Sequence, residues 1–223
     1  MKIDVLTIFP NMFGSPFAES IIKRAQDQKL LELSIHNLRD WSTDKYKSVD
    51  DRPFGGGAGM IMRVDIVDKA VTAFKSQNAK LKTKVVLLDT KGQFYTQKNA
   101  QQLANHEHLI IIAPHFEGID HRVHEHIADE VFSIGPYVLT GGELPAMVVI
   151  DSVTRLIPGV INPDSLLEES YANFEFDNVK FDHCQEYPQY TRPAQYKDWK
   201  VPEALLSGNH AQIDTWRKEQ VNK

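Results

Sequence analysis

A single cysteine, Cys184, is all the thiol chemistry this 223-residue chain carries, so an intrachain disulfide is excluded and nothing argues for an oxidising compartment. Long apolar runs are also missing. None approaches the roughly 18 residues a membrane helix needs. The N-terminus has Asp4 inside its apolar stretch and lacks a small-residue cleavage site, so it reads as a first strand rather than a leader. The expected address is cytoplasmic. Positive charge is scarce as well. The net charge is −5, and none of the segments 1–60, 61–160 and 161–223 has more Lys and Arg than Asp and Glu. Phosphate contacts leave a basic footprint, so any polyanion site must be a local patch. Internal repeats and low-complexity segments are absent. The glycine-rich run at 55–59 lacks the Gly-Lys-Ser/Thr ending of a phosphate loop and the third glycine of a dinucleotide fingerprint, and no His-Glu-x-x-His occurs.

What is present is an ordinary globular composition, 42% hydrophobic and 25% charged, in a chain long enough for one α/β domain and a smaller appendage. Strand-like runs at Lys2–Ile8, Leu31–Ile35, Lys84–Leu88, Leu109–Ala113 and Tyr137–Leu139 alternate with helical patterns, which predicts a mostly parallel sheet with covering helices. The run Leu109-Ile110-Ile111-Ile112-Ala113 has no polar alternation, as expected of a strand buried on both faces. From Leu144 to about Ile157 the residues Met147, Val148, Ile150, Val153, Leu156 and Ile157 recur at helical spacing, with Pro145 in the first turn, where a missing N–H costs little. After Pro158-Gly159 the periodicity fails. The organisation expected is a first domain over 1–160, a linker over 161–172 and a small C-terminal domain over 173–223. The last of these ends in a helix capped by Asn209.

Four clusters could carry chemistry. Ser133 to Pro145 places glycines at both ends of an apolar run that feeds a helix, so a flat ligand can approach backbone without meeting a Cβ; the plainer reading is a tight strand-to-helix turn. Asp50 to Met60 is a charged entry into four glycines, either a surface loop or a set of main-chain N–H groups able to grip an anion. His115 to His126 packs four histidines and three acids into twelve positions. Its spacing fits a polar helix start better than a metal site, although His115 and Glu117 follow the end of the buried strand, where α/β proteins place ligands. Glu168 and Glu169 stand beside Ser170-Tyr171 in the linker, and Arg155 lies four residues after Asp151, as in an ordinary helix-surface pair.

Asp50-Asp51-Arg52-Pro53-Phe54-Gly55-Gly56-Gly57, Glu117-Gly118-Ile119-Asp120, the Ser133 to Met147 string, Arg155 to Val160, Tyr190-Thr191-Arg192-Pro193 and Leu206-Ser207-Gly208-Asn209-His210 together resemble the bacterial tRNA (guanine-N1)-methyltransferases, the TrmD family of the knotted SPOUT superfamily. The resemblance implies a SPOUT-type parallel sheet with a deep trefoil knot, plus a small, mainly helical C-terminal domain. It also implies a homodimer that methylates the guanosine 3′ of the tRNA anticodon with S-adenosylmethionine. By family position the donor would be lined by Leu87, Leu88, Pro114, Glu117, Gly118, Ser133, Ile134, Gly135, Pro136, Tyr137, Val138, Leu139, Gly141, Gly142 and Pro145. Glu169 would be the base, standing where the family has Asp, with Glu168 as its alternate, and Arg155 would stabilise charge on the guanine. Pro114 stands where the family has glycine, and Asp89-Thr90-Lys91-Gly92 where it has Ser-Pro-x-Gly. Mg²⁺ is implied as an accompanying ion. The alternative reading is a catalytically impaired homologue that binds tRNA or donor without methyl transfer.

Overall fold

The computed structural model describes residues 1–167, 169–171, 174–176, 179–181 and 185–221. Glu168 and Cys184 lie outside the described residues. The chain divides into two compact units, Met1–Ile161 and Asn162–Lys223.

The first unit is built in the order β1 (Lys2–Thr7), α1 (Ser20–Asp27), β2 (Glu32–Asn37), β3 (Asp50–Asp51), β4 (Ile61–Met62), α2 (Val64–Gln77), β5 (Thr83–Phe94), α3 (Gln97–Ala104), β6 (His108–Ile112), α4 (Arg122–His126), β7 (Glu130–Ser133) and α5 (Glu143–Thr154). Five of these strands form one sheet in the order β2-β1-β6-β5-β7, and every pairing in it is parallel. β6 is buried along its whole length, as its unbroken apolar run predicts. Its alternate side chains serve two cores. Leu109 and Ile111 join residues of α1, α3 and α5 on one face, and Ile110 and Ile112 join residues of α2 and α4 on the other.

Two features of the sheet differ from the sequence expectation. Tyr137–Leu139 is not a strand: Val138 is 88% exposed and Tyr137 52%. The fifth strand is Glu130–Ser133 instead, whose short run of Val131 and Phe132 between polar residues gives a weak period-two signal. β5 is also longer than its apolar core. Phe132 pairs with Leu88 and again with Gln93, so Asp89 to Gly92 bulge out of the ladder. A Cβ on Gly92 would lie 2.6 Å from the backbone of Val131 and Phe132, so only glycine lets the strand return to β7 at this point.

Within the second unit, the described residues form α6 (Pro163–Leu167), the antiparallel pair β8 (Phe174–Phe176) and β9 (Val179–Phe181), the hairpin β10 (Gln195–Tyr196) and β11 (Trp199–Lys200), α7 (Glu203–Leu206) and α8 (His210–Gln220). α6 occupies part of the stretch expected as linker. The Asn209 side chain accepts from the N–H groups of Ala211 and Gln212, the cap its position predicts.

Candidate active site

The C-terminal ends of β5, β6 and β7 open into one cavity of about 300 Å³, in the place where parallel α/β sheets bind ligands. Four glycines, Gly118, Gly135, Gly141 and Gly142, stand in its wall. Ser133 ends β7 and turns the chain, donating from Oγ to Gly135 O at 3.1 Å, while Tyr137 N donates to Gly135 O at 3.0 Å. Gly142 N then donates to Pro114 O at 2.6 Å, which ties the loop to the end of β6 just before α5 begins. A Cβ on Gly142 would sit 2.6 Å from Pro114 Cδ and 2.9 Å from Ala113 Cα, so the closure requires glycine.

Thirteen of the fifteen residues expected around the donor line this cavity: Leu88, Pro114, Glu117, Gly118, Ser133, Ile134, Gly135, Tyr137, Val138, Leu139, Gly141, Gly142 and Pro145. Leu87 does not. It is fully buried among Leu6, Val85 and Ile112, because neighbouring strand residues face opposite sides and Leu88 takes the other one. Pro136 is likewise outside the lining. The set expected by family position leaves out Ile61, His115, Phe116, Ile119, Phe132, Thr140 and the bulge residues Asp89, Thr90 and Lys91, all of which also line the cavity. Gly92, placed where an otherwise regular strand should continue, was the available signal for that bulge.

The glycine-rich segment is tied to this wall through its neighbours. Glu117 N donates to Met60 O at 3.1 Å and Met62 N to Gly118 O at 3.0 Å, and the added Cβ of a residue at 59 would collide with the Glu117 side chain. Phe116, at φ +61, stands in the left-handed region that disfavours a side chain, so the 115–118 turn carries backbone strain beside the cavity, whereas Gly118 adopts its φ of +122 freely.

The charged groups around the opening are held in place. Asp89 accepts from Lys91 N at 2.9 Å and sits 3.1 Å from His124 Nε2, which fixes the bulge against α4. Asp120 is lowered from the usual carboxylate range, chiefly by the hydrogen bond from Arg122. His121 stacks on His124 at 4.9 Å, and among the described residues no three His, Cys, Asp or Glu side chains come together as a metal cage. Behind the wall, Tyr95 hydrogen-bonds Ser152 of α5 at 2.7 Å, and burial pushes its phenol up to about 12. Arg155 is the C-cap of α5 in the first unit, and Glu169 lies in the second.

Comparison with known proteins bears on this geometry directly. The family model described as tRNA (Guanine-1)-methyltransferase TrmD matches residues 1–223. The chain belongs to the TrmD family. Among its curated relatives, the tRNA (guanine-N(1)-)-methyltransferase of Dehalococcoides mccartyi is 52% identical over 221 residues, 99% of this chain and 85% of the relative. The protein of the same name from Ruminiclostridium cellulolyticum is 52% identical, covering 99% of this chain and 91% of its own length. That of Dictyoglomus turgidum is 47% identical over 224 residues, 100% of this chain and 86% of the relative. Gly135, Gly141 and Gly142 of this wall lie in the Ser133 to Met147 string, one of the motifs through which the sequence resembles the family.

Proposed function

We propose that this chain is an S-adenosylmethionine-dependent tRNA methyltransferase acting on N1 of the guanosine 3′ of the anticodon. The family match over the whole chain carries the reading, and the cavity supports it, since thirteen of the residues expected to hold the donor line one opening. The donor fits the chemistry of this wall: main-chain groups of the 133–142 loop for a flat heterocycle, and the carboxylates Glu117 and Asp89 for its cationic end. When bound, it supplies an electrophilic methyl on a sulfonium, whose carbon–sulfur electrons leave with a neutral thioether.

Guanine N1 bears a proton and is a poor nucleophile until that proton leaves. Glu169 accepts it as the N1 lone pair takes the methyl carbon. Negative charge builds on O6 as the proton departs, and the Arg155 guanidinium hydrogen-bonds that oxygen in the transition state. The proposal includes a homodimer that holds the guanine between one subunit's cavity and the other's linker and tail. Exposed apolar residues around the opening and on α5, Tyr137, Val138, Leu144 and Val148, support a covered face there. A deep trefoil knot around the donor loop, a mainly helical tRNA-binding C-terminal domain and a cytoplasmic address belong to the same proposal. No helix among the described residues is long and apolar enough to cross a membrane. Mg²⁺ is part of the proposal without an assigned protein ligand set.

Two unmodified transcripts test the reading, one with guanine and one with adenine after the anticodon. Methyl incorporation is expected only into the first; equal incorporation, or none into either, would overturn it. Glu169→Gln should lower turnover by at least a hundredfold while leaving donor affinity within about twofold, as loss of a proton acceptor does. Unchanged turnover removes Glu169 from the role of base.

A further inference from the structure

One buried carboxylate beside the cavity has no part in the reaction as proposed. Glu143, the first residue of α5, is 1% exposed, and both its oxygens are engaged. Oε1 accepts from the Thr7 hydroxyl at 2.9 Å, and Oε2 lies 3.2 Å from His115 Nδ1. Thr7 Oγ1 itself accepts from Phe9 N at 3.0 Å, so its proton is free to point at Glu143. A carboxylate oxygen accepts, which assigns the donor of the other contact to His115 Nδ1–H.

The imidazole is held from several sides. Phe9 meets it edge-on with centroids 4.7 Å apart, and the His115 backbone N–H donates to Met62 Sδ at 3.1 Å. A Cβ at Gly141 would run into the ring. Taking a carboxylate out of water is costly, and the N-terminus of α5 offsets only part of that cost. A histidine that merely filled the loop would need no buried anion behind it. With Nδ1 committed, Nε2 is the nitrogen left on a side chain that lines the cavity.

We propose that His115, positioned by Glu143 and Thr7, is a donor-binding residue whose Nε2–H takes the α-carboxylate of the donor's amino-acid end. The inference rests on the reading of the cavity as the S-adenosylmethionine site. That end of the donor carries an ammonium and a carboxylate on one carbon, beside a sulfonium. Glu117 and Asp89 complement the two cations, and the carboxylate needs a donor of its own. In the bound state the imidazole bridges two carboxylates, donating from Nδ1 to Glu143 behind it and from Nε2 to the ligand's in front. Lys91 is the competing cation on the same wall, but it is exposed on the bulge, and its flexible ammonium must give up more freedom to serve.

The test compares two thioether ligands on the full chain by calorimetry: S-adenosylhomocysteine, and its counterpart in which hydrogen replaces the carboxylate. The wild type is expected to prefer the carboxylated ligand by tenfold or more. His115→Ala and Glu143→Gln should bring that ratio close to one, chiefly by weakening S-adenosylhomocysteine, whereas a merely structural lesion weakens both ligands alike. His115→Asn keeps an amide N–H for Glu143 but has nothing in the place of Nε2, so it should lose the ratio even if His115→Ala folds poorly. Lys91→Ala should keep it. An unchanged ratio in both His115 variants, or its loss in Lys91→Ala alone, overturns the assignment while the donor site stands. Binding of neither ligand by the wild type overturns the donor site and this assignment together.

Discussion

At the residue scale, two positions show opposite ways in which this chain uses its interior. Asp4 is a carboxylate 1% exposed on β1, 2.7 Å from His36 Nε2 and 2.8 Å from His108 Nε2. Burial alone would raise it, but hydrogen bonds from His108 and His36, with the Lys2 ammonium nearby, outweigh burial and hold it at about 2. A carboxyl lower in the folded chain than in the unfolded one stabilises the fold above the unfolded value of 3.8, and that contribution disappears as pH falls through about 2. Its size is about 2 to 3 kcal/mol. Asp4→Asn should therefore cost about 2 to 4 kcal/mol at neutral pH by giving one imidazole an amide NH2 in place of its acceptor and the other an uncharged acceptor, and should flatten the loss of stability between pH 4 and pH 2. Urea unfolding at several pH values measures both, and an acid limb as steep as the wild type's would contradict the role given to Asp4. Gly142 works by having nothing. In Gly142→Ala the new methyl must displace Pro114 or Ala113, and donor affinity should fall by tenfold or more, about 1.4 kcal/mol. Calorimetry with S-adenosylhomocysteine checks this, and an unchanged affinity would mean that the closure is not what shapes the cavity. The glycine was legible in the sequence because a missing Cβ is itself a signal. Asp4 was legible only as an acid interrupting an apolar strand, since its partners stand 32 and 104 residues away.

At the scale of elements, legibility followed burial. β6 is apolar throughout because both its faces are covered, and α5 shows helical recurrence because most of its circumference is buried, so both were readable from pattern alone. The expected strand at Tyr137–Leu139 failed for an instructive reason. Its apolar residues face an open cavity and its rim rather than a core, and periodicity cannot separate a surface awaiting a ligand from one packed against protein. The bulge in β5 was hidden in the same way, because Asp89 to Gly92 looks like the polar end of a strand. Gly92→Ala should force β5 and β7 apart where the bulge closes, costing about 1 to 3 kcal/mol as overpacking against fixed backbone does. A thermal midpoint within a degree of wild type would show that the two strands have slack that their geometry denies.

At the scale of the molecule, the proposed reaction takes its donor cavity from the first unit and its base, Glu169, from the second. The resemblance assigned both parts because it spans the whole chain, whereas composition pointed mildly away from nucleic acid. A net charge of −5 says nothing about where the few cations stand, and the second unit concentrates some of them beside aromatic rings. Lys197 lies over Tyr196 and Trp199 at 5.4 and 5.5 Å, and Arg217 over Tyr187 at 4.7 Å. The central claim is a methyl group delivered to one atom of one base. The most direct measurement incubates the purified chain with methyl-labelled S-adenosylmethionine and an unmodified transcript with guanine after the anticodon, then digests the RNA to nucleosides. The account predicts that the label co-migrates with 1-methylguanosine. Label in any other nucleoside, or none while the donor demonstrably binds, would contradict it.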